Sequence, residues 1–166
     1  MIGIDRSVFR WFALVLVGLL VAAGVVIAAP ADQTLIVERV DTGESVIQTS
    51  VEQGTLVALE YTHSVEKTRV YDAYRVNGTA LENTRMEFES YGWGLPATAN
   101  VTHEDGMFVY DPPGQYEQLQ VAPGKIADHT LIVGETRYDL VERTDGTSVR
   151  IRVRNTTLPV RLLGDL

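Results

Sequence analysis

The chain has 166 residues, no cysteine and a formal net charge of −8. This length accommodates one domain and a short appendage. The acidic balance, 22 Asp and Glu against 14 Lys and Arg, disfavours nucleic-acid binding because phosphate contacts require a basic face. Without cysteine, a disulfide framework and a bacterial lipid-modification site are excluded, so stability must come from packing.

A long apolar run near the N-terminus predicts a membrane-spanning helix. Every residue from Trp11 to Ala29 is apolar or Gly, and a helix of roughly 20 such residues crosses the hydrocarbon core of a bilayer. Arg6 and Arg10 precede the run, so the positive-inside bias places the N-terminus in the cytoplasm. The remainder of the chain is therefore predicted to lie outside the cytoplasm.

The fate of the apolar segment has two interpretations. Ala29-Pro30-Ala31 has the small residues of a signal-peptide cleavage site. The apolar run, however, exceeds the core of a signal peptide, roughly 7 to 15 residues, which favours an uncleaved anchor. We predict a membrane anchor or signal segment over residues 1–31 and an extracytoplasmic domain, carried by a single-pass membrane protein, over residues 32–166.

The predicted domain is poor in lysine, with Lys67 and Lys125 as its two lysines. An acidic, lysine-poor surface resembles those of haloarchaeal proteins, because high salt screens the self-repulsion of such a surface. An ordinary acidic secreted domain is the alternative. Three Asn-x-Ser/Thr triplets, at Asn77, Asn100 and Asn155, are candidate glycosylation sites.

After the predicted anchor, short strand-like runs alternate with turn residues at intervals of roughly 8 to 12 residues. The runs span Thr34–Val40, Ser45–Val51, Thr55–Thr62, Arg69–Val76, Thr79–Ser90, Met107–Tyr110, Gln115–Val121, Thr130–Gly134, Arg137–Glu142 and Thr147–Arg154. Hairpin turns are predicted at Asp41–Glu44, Asn77-Gly78 and Asp145-Gly146. The pattern predicts an antiparallel all-β domain, a sandwich or a partly open barrel.

The last predicted strand has a strict period of two. Val149, Ile151 and Val153 alternate with Arg150, Arg152 and Arg154, which predicts one face in the core and one in solvent. On an acid-rich sheet these arginines are expected to pair with Glu and Asp on neighbouring strands.

The Asn77-Gly78 hairpin brings two unusual stretches to the same end of neighbouring strands. Tyr61–Thr68 is crowded with polar residues, and Glu89–Pro96 contains a tryptophan between two glycines. Counting outward from the turn places Lys67 and Thr68 roughly opposite Phe88 to Ser90. We therefore predict one composite site.

The predicted site binds a ligand or a partner. Its candidate contact residues are His63, Ser64, Glu66, Lys67, Glu89 and Trp93. Imidazole is an acid, a base or a ligand near neutral pH, and tryptophan is common both at interface hot spots and in cores. Gly92, Gly94 and Pro96 are predicted to shape the turn rather than to cradle a phosphate.

Two other interpretations of His63 stay open. As a general base beside Ser64 or Glu66 it would make the protein a cell-envelope hydrolase, although the Gly-x-Ser-x-Gly elbow is missing. As a structural residue it would only lock a loop. His103 and His129 lack ligand-like spacing, so neither a metal nor another cofactor is expected.

The motifs carry a family resemblance. Tyr61-Thr62-His63-Ser64-Val65-Glu66-Lys67, then Tyr71–Val76 and Ser90–Pro96, closely resemble DUF1850, a domain of unknown function. The similarity runs from about Leu56 through Val121. In that family a run of small residues replaces Glu89–Gly94, so Trp93 is a departure.

The resemblance implies a small exported or membrane-anchored protein, often encoded beside TRAP transporters of the TAXI type, which import organic solutes using an ion gradient. It implies an accessory role at the extracytoplasmic face, with the permease or the solute-binding subunit as partner. It supplies no established active site.

Overall fold

Two antiparallel β-sheets and one short helix form the regular structure of residues 33–90 and 101–156, the part of the chain described by the computed structural model. The architecture is an open β-sandwich, as the strand pattern predicts. The predicted anchor, residues 1–31, lies outside the described residues. Within the described ranges, no helix is long and apolar enough to cross a membrane.

The first sheet has four strands in the order β2-β1-β12-β9. Its strands are β1 (Gln33–Arg39), β2 (Ser45–Val51), β9 (Leu119–Val121) and β12 (Val149–Asn155). In β12, Val149, Ile151 and Val153 are buried, which confirms the predicted alternation.

The second sheet has eight strands, in the order β11-β10-β3-β4-β5-β7-β6 with β8 paired to β5. Its strands are β3 (Leu56–Thr62), β4 (Arg69–Asn77), β5 (Ala80–Phe88), β6 (Thr102–Glu104), β7 (Met107–Tyr110), β8 (Gln115–Tyr116), β10 (Thr130–Val133) and β11 (Thr136–Asp139). Apolar side chains from the inner faces of both sheets form one core. Leu35, Val37, Val57, Leu81, Leu131, Val149 and Ile151 are among its fully buried members.

Two of the three predicted hairpins are confirmed. β1 and β2 pair across the turn at Asp41–Glu44, where Gly43 has a φ of +72°. β4 and β5 pair across Asn77-Gly78, with Asn77 opposite Ala80 and Gly78 at a φ of +59°. Glycine tolerates these positive φ values without the steric penalty that a Cβ would bring.

The third predicted hairpin, at Asp145-Gly146, is wrong. The predicted strand Arg137–Glu142 ends at Asp139, whose carboxylate accepts the Glu142 N–H at 2.9 Å and caps helix α1 (Leu140–Thr144). Asp145 then ends the helix in the left-handed conformation. β11 and β12 consequently belong to different sheets rather than to one hairpin.

The predicted strand Gln115–Val121 is also wrong as a single element. It is divided into β8, which pairs with β5 in the second sheet, and β9, which pairs with β12 in the first. The chain therefore crosses between the sheets within this segment. β6, absent from the prediction, joins β7 through Asp105-Gly106, where both residues have positive φ.

Arginine–carboxylate pairs line the outer faces of both sheets. On the first sheet Arg152 donates to Glu38 at 2.6 Å, which confirms the predicted pairing for this residue. Among the described residues, Arg150 and Arg154 form no such pair. A longer series crosses the outer face of the second sheet, with ion pairs joining Arg137 to Glu60, Glu60 to Arg69, Arg69 to Glu87, Glu87 to Arg85 and Arg85 to Glu104.

Candidate functional site

Two loops lie at the same end of the second sheet. The β3–β4 loop runs from His63 to Thr68, and the β9–β10 loop covers residues 122–129. The Thr62 N–H donates to the Ala127 carbonyl at 2.7 Å, and the rings of Tyr61 and His129 stack with their centroids 4.9 Å apart. These two loops are called the His63 end of the domain below.

The imidazole of His63 organises the β3–β4 loop. Its Nδ1 accepts the backbone N–H of Glu66 at 3.2 Å and that of Val65 at 3.4 Å. The backbone of His63 also accepts from Lys67 at 2.9 Å and donates to Thr68 at 2.8 Å. A nitrogen that accepts carries no proton, so this arrangement uses His63 as a turn-stabilising acceptor, as Asn and Asp are commonly used.

The other predicted residues of this loop point to solvent. Lys67 has a φ of +59°, and its Nζ donates to the Ser64 carbonyl at 2.6 Å. Ser64, Glu66 and Glu89 are exposed. Within the described part of the chain, the Ser64 hydroxyl makes no hydrogen bond, and Lys67 forms no ion pair with Glu66 or Glu89. The hydrogen bonds described for this loop therefore join the imidazole and the ammonium group to backbone groups.

The predicted register between the two unusual stretches is confirmed where it is described. Val70 lies opposite Phe88, and the hydroxyl of Thr68 lies 3.3 Å from that of Ser90. The β3–β4 loop and the end of β5 are thus neighbours. The remaining predicted residues, Gly92, Trp93, Gly94, Pro96 and the sequon at Asn100, lie outside the described residues.

The two other histidines are packed against aromatic rings. His103 lies edge-on to Phe108, with centroids 5.0 Å apart, and His129 stacks on Tyr61. Burial lowers the pKa of His129. Among residues 33–90 and 101–156, no group of three or more His, Cys, Asp or Glu side chains is arranged to hold a metal ion.

The family model for DUF1850, a domain of unknown function, matches residues 57–140. The chain belongs to the DUF1850 family. The match extends further towards the C-terminus than the expected end near Val121. Comparisons with curated proteins and with solved structures found no match.

The DUF1850 match includes the His63 end but leaves out most of the first sheet. It begins in β3 and ends at the start of α1, so both loops fall within it. Strands β1, β2 and β12 lie beyond its limits, yet they supply Leu35, Ile47 and Ile151, respectively, to the core. The flanking segments therefore complete the sandwich that supports the family motifs.

Sequence reasoning missed the β9–β10 loop. Ile126 is 67% exposed and Val65, on the neighbouring loop, is 62% exposed. Each lies close in sequence to a lysine, Lys125 or Lys67, and these are the two lysines of the chain. Each loop thus has an aliphatic residue within two positions of a lysine. This repeated pattern is the feature of the sequence that could have indicated that the two loops belong to one surface.

Sequence reasoning also missed Asp72, a carboxylate on the inner face of β4. Asp72 lies opposite Leu59, a core residue, and accepts the Tyr61 hydroxyl at 3.3 Å. Burial raises the pKa of Asp72 to about 6, although the hydrogen bond from Tyr61 acts in the opposite direction. Burial and the Asp72 carboxylate both raise the pKa of Tyr61.

The acceptor role of His63 predicts different results for two substitutions. His63→Ala removes the acceptor of two backbone N–H groups and is expected to lower the free energy of unfolding by about 1 kcal/mol. His63→Asn keeps a side-chain acceptor near that position and is expected to lower the free energy of unfolding less than His63→Ala does. Urea unfolding of the three proteins measures both differences, and equal losses for Ala and Asn would contradict the acceptor role.

Proposed function

We propose that this chain is a membrane-anchored extracytoplasmic binding domain, accessory to a TAXI-type TRAP transporter, that contacts its partner through the His63 end. The family resemblance suggests the transporter, and the apolar N-terminal run suggests the anchor. The observation that carries the proposal is the exposure of two aliphatic side chains, Val65 and Ile126, on two loops at the same end of the second sheet. The Ala127 carbonyl in the second loop accepts the N–H of Thr62, the last residue of β3 before the first loop.

Exposed aliphatic side chains at this end are suited to protein contact. A side chain such as Ile126 gains free energy when a partner removes it from water, at about 25 cal/mol per Å² of apolar surface. The loops that present Val65 and Ile126 are tied to the sheet by Thr62 and by the stack of Tyr61 on His129. A surface ordered in this way loses little conformational entropy on binding.

The position of the N-terminal strand favours the His63 end over the opposite end. β1 starts at Gln33, whose side-chain amide donates at 2.6 Å to the carbonyl of Gly78, in the turn between β4 and β5. It ends at Arg39, which donates to Thr144 in the helix that follows β11. Seven residues of strand separate the two ends by about 20 Å.

A segment that precedes Gln33 therefore joins the domain at the Gly78 end. If that segment is the membrane anchor, the His63 end faces away from the lipid surface. The candidate glycosylation sites Asn77 and Asn155 also lie at the Gly78 end, since Gln33 pairs with Asn155. Both features favour a soluble partner, such as the solute-binding subunit, over the membrane-embedded permease.

The proposal predicts that serine substitutions at the two exposed aliphatics abolish partner recovery. Full-length tagged protein is purified in mild detergent at high salt from membranes that contain the TRAP proteins, and co-purifying subunits are quantified by mass spectrometry. Val65→Ser with Ile126→Ser is expected to lower recovery of the solute-binding subunit at least tenfold, because a hot-spot side chain contributes more than about 1 kcal/mol.

Tyr116→Ser is the matched control, since Tyr116 is also an exposed large hydrophobic residue but pairs with Leu81, near the Gly78 end. Its recovery is expected to equal that of wild type. Equal recovery by the double variant would overturn the contact surface. Repeated purification of wild type with neither transporter subunit would overturn the transporter role.

The same experiment separates the roles of His63. His63→Asn retains an acceptor for the loop but removes the imidazole, so it is expected to recover the partner as wild type does. Loss of recovery by a folded His63→Asn protein would instead assign the imidazole a direct part in binding.

A further inference from the structure

Asp72 is an unusual carboxylate in this fold because of the face on which it lies. It belongs to the inner face of β4, opposite Leu59, whereas Glu38, Glu60 and Glu87 lie on outer faces. Each of these three glutamates forms an ion pair with an arginine. Among the described residues, Asp72 forms no ion pair and has one hydrogen bond, from the Tyr61 hydroxyl at 3.3 Å.

The negative charge of Asp72 lowers the stability of the protein in the absence of a ligand. A partly buried carboxylate without a cationic partner loses hydration that one hydroxyl does not replace. Buried polar groups with incomplete pairing call for an explanation, and a bound ligand is one.

Two tyrosines lie near this carboxylate. Tyr61 donates to Asp72, and Tyr74, two residues along the same face, is close enough that the carboxylate contributes with burial to raising the Tyr74 pKa. Tyr116 meets Tyr74 edge to face, with centroids 6.2 Å apart. On the other side of Tyr61, the Nδ1 atom of His129 is buried and has no hydrogen-bond partner among the described residues.

A partly buried carboxylate that has no cationic partner and lies beside a tyrosine hydroxyl is suited to binding an organic ammonium group. The carboxylate neutralises the positive charge, and its remaining lone pairs accept an N–H where the ion has one. An anion is disfavoured, because it would approach Asp72 with like charge. Asp72 and Tyr61 are only partly buried, so a small solute can reach them from solvent.

We propose that Asp72, Tyr61 and Tyr74 form a binding site for a small organic ammonium ion on the inner face of the second sheet. The site does not include the exposed loop residues Val65 and Ile126. A test of this site is therefore independent of a test of the contact surface at the His63 end. Ligand binding brings a counter-charge to Asp72 and leaves the arginine pairs of the outer faces unchanged.

The test uses methylammonium and tetramethylammonium chloride as probes at pH 8, with the full-length protein in detergent and sodium chloride added to equal ionic strength. Thermal melts measure the gain in stability on binding. At ten times the dissociation constant, a specific site raises Tm by about 3 to 8 °C. Asp72→Asn is expected to abolish the shift, whereas Glu135→Gln, at an exposed carboxylate, is expected to retain it.

NMR of the backbone amides of the β domain, recorded on the same full-length protein, gives an independent measurement of binding. Titration with either probe is expected to move the resonances of Leu59, Asp72 and Tyr74 in wild type and to leave them fixed in Asp72→Asn. Equal Tm shifts in wild type and Asp72→Asn would overturn the site. If neither probe shifts the Tm of wild type at concentrations up to about 0.1 M, the site is overturned too. That concentration is on the order of the dissociation constant of a weak site.

Discussion

Ile151→Ala is expected to lower the free energy of unfolding by about 3 to 4 kcal/mol, the range for removing a large aliphatic from a close-packed core. Ile151 is fully buried in the middle of β12, opposite Val37 on β1 and Leu119 on β9. The substitution therefore leaves a cavity where three strands of the first sheet face the second. Urea unfolding monitored by circular dichroism measures the loss.

Arg154→Ala is the matched control, because Arg154 lies on the same strand with its side chain exposed. It is expected to change stability by no more than about 0.5 kcal/mol. The pair also tests whether the family domain depends on strands outside the DUF1850 match, since β12 lies beyond residue 140. A loss below about 1 kcal/mol for Ile151→Ala would contradict the central place of β12 in the core.

Asp72→Asn is expected to stabilise the protein at pH 8 by up to about 3 kcal/mol. Burial raises the pKa of Asp72 to about 6 in the folded state, against an ordinary value of 3.8 for an aspartate in an unfolded chain. Between these values the folded state binds more protons than the unfolded state, so this group's contribution to stability falls as pH rises. The loss is nearly complete about one pH unit above the folded-state pKa of about 6, and two pKa units correspond to about 3 kcal/mol.

Asparagine has the same shape as aspartate, keeps an acceptor for the Tyr61 hydroxyl and carries no charge. The difference in unfolding free energy between variant and wild type is therefore expected to grow from about pH 4 to about pH 7 and then to level off. Comparing the two proteins at each pH cancels the effect of other carboxylates that titrate in both, such as Glu60. Burial raises the pKa of Glu60, but hydrogen bonds from Arg137 and Arg69 outweigh this effect and lower it. A difference that is constant with pH would show that Asp72 titrates normally.

A stabilising Asp72→Asn substitution would also bear on function. A residue that lowers stability and is easily replaced by an isostere is typical of a binding or active site, where function requires a group that the fold alone does not favour. The same variant is expected to lose the ammonium-dependent Tm shift, so gain of stability and loss of binding would be measured on one protein.

The sequence by itself determined most of the strand content and two of the three predicted hairpins. Asn77-Gly78 fixes the β4–β5 register beside the turn because a tight turn with positive φ allows few pairings. A β-bulge between Ala73 and Tyr74 then shifts the pairing by one residue, and this shift places Thr68 beside Ser90 rather than Glu89. The period of two in Val149, Ile151 and Val153 fixes which face of β12 is buried. Both signals are local, so they survive without knowledge of the tertiary structure.

The tertiary structure alone decided which strands are neighbours and which faces meet. β10 pairs with β3, a strand far from it in sequence, and this pairing brings Ala127 and His129 to the end of β3. The β4 residues Tyr71, Asp72, Ala73 and Tyr74 show no clear alternation of apolar and polar side chains. That Asp72 faces inward is therefore known only from the position of the core relative to the sheet. Contacts between distant segments depend on the summed burial of whole sheets, and a local residue pattern does not specify them.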